Sequence, residues 1–271
     1  MRWLARILAA AVVALTAQAA QAQYLPPMAH YRAAGPCPPI LLFSHGFGGS
    51  HRTHPDLGAA AAAAGFDTWV IGHVESGPAA WKRVTAAENA NAAIWKEILD
   101  PTFNHRHLAT IEVVRDHVVG LRDCKPPMVV LGGFSVGAQV TMVEAGAKTS
   151  FGVTGRGGFD AYIALSPPGI GPQFPLESWA PIDKPVLVVT GTHDGAAFQT
   201  WKNRLAVFQS LPETGKSRFV LLRNGKHLDM MGQGDEAVPR RVRDIVSDYL
   251  VGLRNTIPAM RSTAWQEVWR R

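Results

Sequence analysis

Short, almost unbroken apolar runs recur along this chain with helix-length stretches between them, at residues 40–44, 66–71, 128–131, 162–165, 186–190 and 219–222. A strand with one wet face alternates apolar and polar side chains. A run such as Ile40-Leu41-Leu42-Phe43 has no polar face and must be covered on both sides. Helical patterns are predicted between and after the runs, at 56–64, 108–121, 136–147, 197–211, 238–253 and 263–270. This alternation predicts an α/β fold on a doubly wound, mostly parallel sheet with helices on both faces. Ligands in such sheets bind beyond the carboxyl ends of the strands, so residues just after each run are the first place to look for chemistry. The 271 residues, 47% hydrophobic and 18% charged, suit one globular domain with a filled core.

The N-terminus reads Met1-Arg2-Trp3-Leu4-Ala5-Arg6, then an apolar run over 7–17, then Ala20-Gln21-Ala22. A charged region, an apolar stretch and a small-x-small site form a signal peptide, predicted over 1–22. The apolar run falls short of the roughly 20 residues that cross a bilayer, so the expectation is a mature chain from near Gln23, exported by a bacterium to the periplasm or beyond, without a membrane anchor. The formal net charge of +6 falls to +4 without Arg2 and Arg6, and the only basic cluster is Arg240-Arg241-Val242-Arg243 in a predicted helix. No nucleic-acid partner is expected from so little clustering. The only cysteines, Cys37 and Cys124, each sit just before a predicted core strand. They form a disulfide if those strands are parallel neighbours, and otherwise two buried thiols.

Gly133-Phe134-Ser135-Val136-Gly137 follows one predicted strand and opens a predicted helix, the setting that gives G-x-S-x-G its meaning. A sharp strand-to-helix turn pushes Ser135 Oγ out at the top of the sheet as a nucleophile. A serine hydroxyl needs a base, and the base needs a group to fix its tautomer. Asp194 follows the 186–190 run, whereas Asp183 precedes it and falls at the wrong edge. His227 follows the last run and is the only histidine C-terminal to Asp194. Backbone N–H groups of Val136, in the first helical turn after the nucleophile, and of Phe47, in the loop His45-Gly46-Phe47-Gly48-Gly49, are the oxyanion-hole candidates. His45 is expected to hold that loop by hydrogen bonds. Phe134 and Met230 are substrate-binding candidates, in an apolar rim that also takes in Phe47, Phe174, Trp179 and Met231. The stretch 75–104, with Trp81, Trp95 and Phe103, either forms a rim over the site or packs on the core, packing being the expectation, and no large lid is expected. His51-x-x-His54 and His105-x-His107 read as surface or loop histidines, so no metal site and no cofactor are predicted.

Together, residues 43–49, Gly133 to Gly137, Gly191-Thr192-His193-Asp194 and Lys226-His227 resemble the α/β-hydrolase superfamily. Over roughly 38–253 the chain is similar to bacterial esterases of the dienelactone-hydrolase and platelet-activating-factor-acetylhydrolase-like groups. Dienelactone hydrolases carry a cysteine nucleophile where this chain has Ser135. The resemblance implies hydrolysis of a small-molecule or lipid-like ester through an acyl-enzyme. Acyl transfer, thioester cleavage, polyester cleavage and a non-catalytic binding role on the same scaffold are the alternatives.

Overall fold

The computed structural model describes residues 25–195, 199–234, 236–255 and 260–271. The leader expected at 1–22 lies outside them. One eight-stranded sheet organises the chain, in the order β1-β3-β2-β4-β5-β6-β7-β8. The strands are β1 (Met28–Tyr31), β2 (Ile40–Ser44), β3 (Asp67–Ile71), β4 (Val129–Phe134), β5 (Ala161–Leu165), β6 (Val186–Gly191), β7 (Arg218–Leu222) and β8 (Gln266–Arg270). The six from β3 to β7 in that order pair in parallel, whereas β1 and β8 run antiparallel at the two edges.

Both faces of the sheet are covered, as unbroken apolar strands require. Ile40, Leu42, Leu131, Tyr162, Val188 and Phe219 point to a face packed by α4 (Pro101–Gly120), α5 (Val136–Glu144) and α6 (Trp201–Phe208). Leu41, Phe43, Val130, Ile163, Val189 and Val220 point to the other, beneath α1 (Pro55–Ala63) and α7 (Ala237–Asn255). After β3 the chain forms two short helices, α2 (Pro78–Thr85) and α3 (Ala90–Ile98), before α4. Among the described residues no helix is long and apolar enough to cross a membrane.

The chain departs from the sequence reading at its edges. Residues 263–270, expected to be helical, include strand β8, which pairs with β7 from Arg218↔Arg270 to Leu222↔Gln266. Trp269 lies against Phe219, ring centroids 5.4 Å apart, while Val268 packs on the opposite face. Only an unpaired sheet edge makes that alternation worth adopting. Strand β1 went unread because four half-buried residues behind Pro26-Pro27 are too short to show a period. Helix α4 starts at Pro101, seven residues before the expected 108. Its signal is Asp100-Pro101, with the Asp100 carboxylate accepting from Thr102 N–H at 2.7 Å. Of the helix expected at 197–211, Ala197 and Phe198 lie outside the described residues.

The sheet edge opposite the carboxyl ends is pinned by a Cys37–Cys124 disulfide, Cα atoms 6.2 Å apart. It joins the segments leading into β2 and β4, which are parallel neighbours. Closing a loop with a sequence separation of 87 residues removes much unfolded-chain entropy. Replacing both cysteines by serine is expected to cost about 2–4 kcal/mol, read as a lower urea midpoint. Dithiothreitol should then lower the midpoint of the wild type and leave that of the double variant unchanged.

Candidate active site

At the carboxyl end of β4 the backbone turns abruptly into α5. Ser135 occupies the turn at φ 54°, ψ −114°, a conformation that non-glycine residues adopt at a cost of about 1–3 kcal/mol. The crossing demands glycine on either side. A Cβ at Gly133 would lie 2.3 Å from the Gly137 carbonyl carbon, and one at Gly137 would lie 2.3 Å from Ser44 O. The turn is held by Ser135 N–H donating to Leu165 O on the neighbouring strand at 2.9 Å. Every residue of α5 is buried, so its side chains carry no amphipathic stripe.

Strands β6 and β7 deliver the other two groups to the same edge of the sheet. His227 Nε2 lies 3.1 Å from Ser135 Oγ, and His227 Nδ1 lies 3.0 Å from Asp194 Oδ1. Asp194 also accepts from Thr190 Oγ1 at 2.8 Å and from the Ser166 hydroxyl, whose oxygen sits 2.7 Å from His227 Nδ1. The carboxylate needs a proton on Nδ1, which leaves the Nε2 lone pair facing Ser135. The ring also packs against Phe134, centroids 4.8 Å apart.

Asp194 is 1% exposed, and an ionised carboxylate so placed requires compensation. Arg204 of α6, equally buried, supplies it. Its Nη1 donates to Asp194 O at 2.8 Å, its Nη2 lies 3.2 Å from Oδ1, and its Nε donates to Pro167 O at 2.7 Å. Burial pushes the Asp194 carboxyl up, but the His227 hydrogen bond and the Arg204 charge outweigh it and hold the group well below the usual carboxylate range. Neither Arg204 nor Ser166 was singled out from the sequence. Ser166 carried a legible signal, since it immediately follows the 162–165 run.

The loop from His45 to Gly49 is fastened from beneath. His73 N–H donates to His45 Nε2 at 3.1 Å, so the His45 proton sits on Nδ1 and is donated to Gly46 O at 2.7 Å. Burial lowers the His45 pKa to about 4, which keeps the ring neutral and in this loop-holding role. Gly48 N–H donates to Ser76 O at 2.7 Å and Gly49 N–H to Gly46 O at 3.0 Å. Among the described residues the backbone N–H groups of Phe47 and Val136 have no hydrogen-bond partner. Both residues line the cavity that holds Ser135.

That cavity has a volume of about 1070 Å³. Phe47, Trp81, Ile94, Trp95 and Ile98 form an apolar wall, and Phe134, Met230 and Met231 lie along it as well. Trp81 and Trp95 therefore rim the site, against the expectation that 75–104 only packs on the core, because α2 and α3 stand beside the Phe47 loop rather than on the sheet. Phe103 does pack inward, with Ile98 and Val136. Phe174 and Trp179 do not reach the rim. The segment after β5 turns back past Ser150, whose N–H donates to Gln173 O at 3.0 Å, and buries both rings completely against the α5 face of the sheet. The paired histidines separate too. His105 is exposed and His107 buried, since residues two apart on a helix face opposite ways. His54 is not a surface histidine either; it is buried edge-on against Phe43, and burial lowers its pKa to about 3.

No protein-family model and no curated protein matches the chain. Solved structures do match. A provisionally named dienelactone hydrolase from Klebsiella pneumoniae superimposes with a TM-score of 0.62 at 16% identity, over 83% of this chain and 92% of that one. A truncated carbohydrate esterase from gut microbiota superimposes with a TM-score of 0.52 at 17% identity, over 82% and 89%. The parallel sheet, the elbow at Ser135 and these superpositions define the α/β-hydrolase fold.

Replacing Arg204 by Met leaves the Asp194 charge buried without its partner. The expected loss of stability at neutral pH is about 3–5 kcal/mol. A carboxyl whose folded pKa is depressed stabilises the fold above its unfolded pKa and loses that contribution as the pH falls. The gap between wild type and Arg204→Met should therefore narrow from neutral pH toward about pH 4 and below, measured as urea midpoints across that range.

Proposed function

We propose that the chain is a serine hydrolase that cleaves carboxylic esters through an acyl-enzyme. The observation that carries this reading is the placement of one imidazole between a strained serine hydroxyl at 3.1 Å and a buried carboxylate at 3.0 Å, within an apolar cavity. Ser135 Oγ attacks the ester carbonyl as His227 Nε2 takes its proton. Asp194, charged and dry, stabilises the imidazolium. The oxyanion is received by the Phe47 and Val136 N–H groups, at the start of α5 where the helix dipole favours negative charge. Each such donor is worth about 3 kcal/mol of barrier when removed singly. His227 then protonates the leaving alcohol, and water repeats the sequence on the acyl-enzyme. The dienelactone hydrolase and carbohydrate esterase names of the two structural neighbours point to the same bond class. The expected leader over 1–22, together with the Cys37–Cys124 disulfide, supports an exported mature protein in an oxidising compartment.

Ser135→Ala is expected to lower hydrolysis of a p-nitrophenyl ester by about 10⁴-fold or more with an unchanged thermal midpoint. A fluorophosphonate probe should label the wild type and spare the variant. An active or labelled Ser135→Ala protein would remove the assignment. The aromatic wall favours an apolar acyl or aryl group. Trp95→Ala is expected to reduce kcat/KM for a hexanoyl ester about tenfold, while the acetyl ester, too short to reach that wall, keeps wild-type kinetics.

A further inference from the structure

A second cluster of buried polar atoms lies beneath the loop that carries Phe47. β3 leads into Gly72-His73-Val74-Glu75, and α4 supplies His107 from its buried face. Both histidine side chains are fully buried and the Glu75 side chain is 12% exposed. One ligand atom of each of the three residues lies within 4.8 Å of the other two. Glu75 Oε1 sits 2.8 Å from His107 Nδ1 and 3.5 Å from His73 Nδ1. The carboxylate is thus the ion-pair partner of both rings, although none of the three atoms meets hydrogen-bond geometry with a described residue.

At 2.8 Å the carboxylate and the His107 ring are close enough to pair, the ring carrying charge when protonated. The 3.5 Å between His73 Nδ1 and Glu75 Oε1 is close to the spacing of two ligands of one ion, and the shorter His107 contact has to open slightly to match it. With metal–ligand distances of about 2.0–2.2 Å, tetrahedral donor atoms lie roughly 3.3 Å apart, each well off the other's lone-pair axis. Three buried polar atoms also converge with only one another as partners, and a cation between them compensates two imidazoles and a carboxylate more fully than that pairing does. On the far side both rings turn Nε2 toward Ser44 Oγ, at 3.0 Å from His73 and 3.3 Å from His107. With a proton on each Nε2, both rings donate to that oxygen and leave their Nδ1 lone pairs on the Glu75 side, the rings themselves stacked with centroids 3.7 Å apart. A metal-bound histidine is oriented in this way, by donating its other N–H to a fixed acceptor.

We propose that His73, Glu75 and His107 bind a zinc-class divalent cation, with solvent completing its coordination from the Glu75 side. Two imidazoles and one carboxylate suit zinc better than the oxygen-preferring magnesium or calcium. None of the three residues lines the cavity around Ser135, which makes the ion structural. It ties the carboxyl end of β2, through Ser44, to the β3–α2 connection and to α4. The same connection holds the Phe47 loop through His73 N–H and Ser76 O.

The test uses the mature protein without a polyhistidine tag, purified from zinc-supplemented medium. Elemental analysis should find about one zinc per chain, and stripping with dipicolinate should lower the thermal midpoint by an amount on the order of 5 °C. Zinc should restore that midpoint and magnesium should not. Cobalt(II) loaded into the stripped protein should show the visible absorption of a four-coordinate site. Glu75→Gln, which keeps side-chain shape, should lose the metal and have the midpoint of stripped wild type. Wild type that takes up no zinc, or whose midpoint ignores both chelator and zinc, overturns the proposal, and so does a Glu75→Gln protein that keeps its full equivalent. Should that variant fail to fold, the chelation and cobalt measurements on wild type decide alone.

Discussion

Parallel pairing of the six central strands is the constraint on which the rest of the molecule depends. It sends every carboxyl end to one edge of the sheet and every amino end to the other. Ser135 follows β4 at once, and Asp194 and His227 lie in the short segments just after β6 and β7, so three residues far apart in the chain arrive at one rim without any long-range device of their own. The disulfide sits at the opposite edge for the same topological reason, where β2 and β4 both begin. The disulfide and the Ser135 site are kept apart by the length of the strands.

Around that rim the fold holds several unfavourable states in place. Ser135 keeps a positive φ because Gly133 and Gly137 allow backbone to touch backbone. Asp194 stays ionised away from water because Arg204, Thr190, Ser166 and His227 all donate to it. Neither state would persist in a loosely packed loop, since each depends on packed neighbours, Arg204, Thr190 and Ser166 buried among them. The result is a site organised before any substrate arrives, with the carboxylate unable to turn away from the imidazole it orients.

The loop that presents the Phe47 amide depends on a different layer. Its contacts run down through His45 to the His73–Ser76 segment and from there to α4. A rigid floor matters because a donor to an oxyanion is useful only if it is already aimed. The histidine and carboxylate cluster beneath the loop supplies polar bonding where an apolar floor would leave the loop free to slide.

Much of this was legible in the sequence, through rules that act locally. Unbroken apolar runs can be satisfied only by a sheet covered on both faces, and glycines flanking a serine between strand and helix mark a crossing no other residue permits. Those two rules place the six central strands and bring Ser135, Asp194 and His227 to the rim beyond them. Tertiary structure alone decided whatever depends on which segments meet. An edge strand forms at 266–270 because β7 offers unpaired backbone, Phe174 and Trp179 turn inward because their loop folds back over α5, and Arg204 finds Asp194 across ten residues of chain. The gathering of His73, Glu75 and His107 has the same origin. Local pattern encodes what one segment must bury, while partnership between polar groups is set by distances that exist only once the sheet has closed.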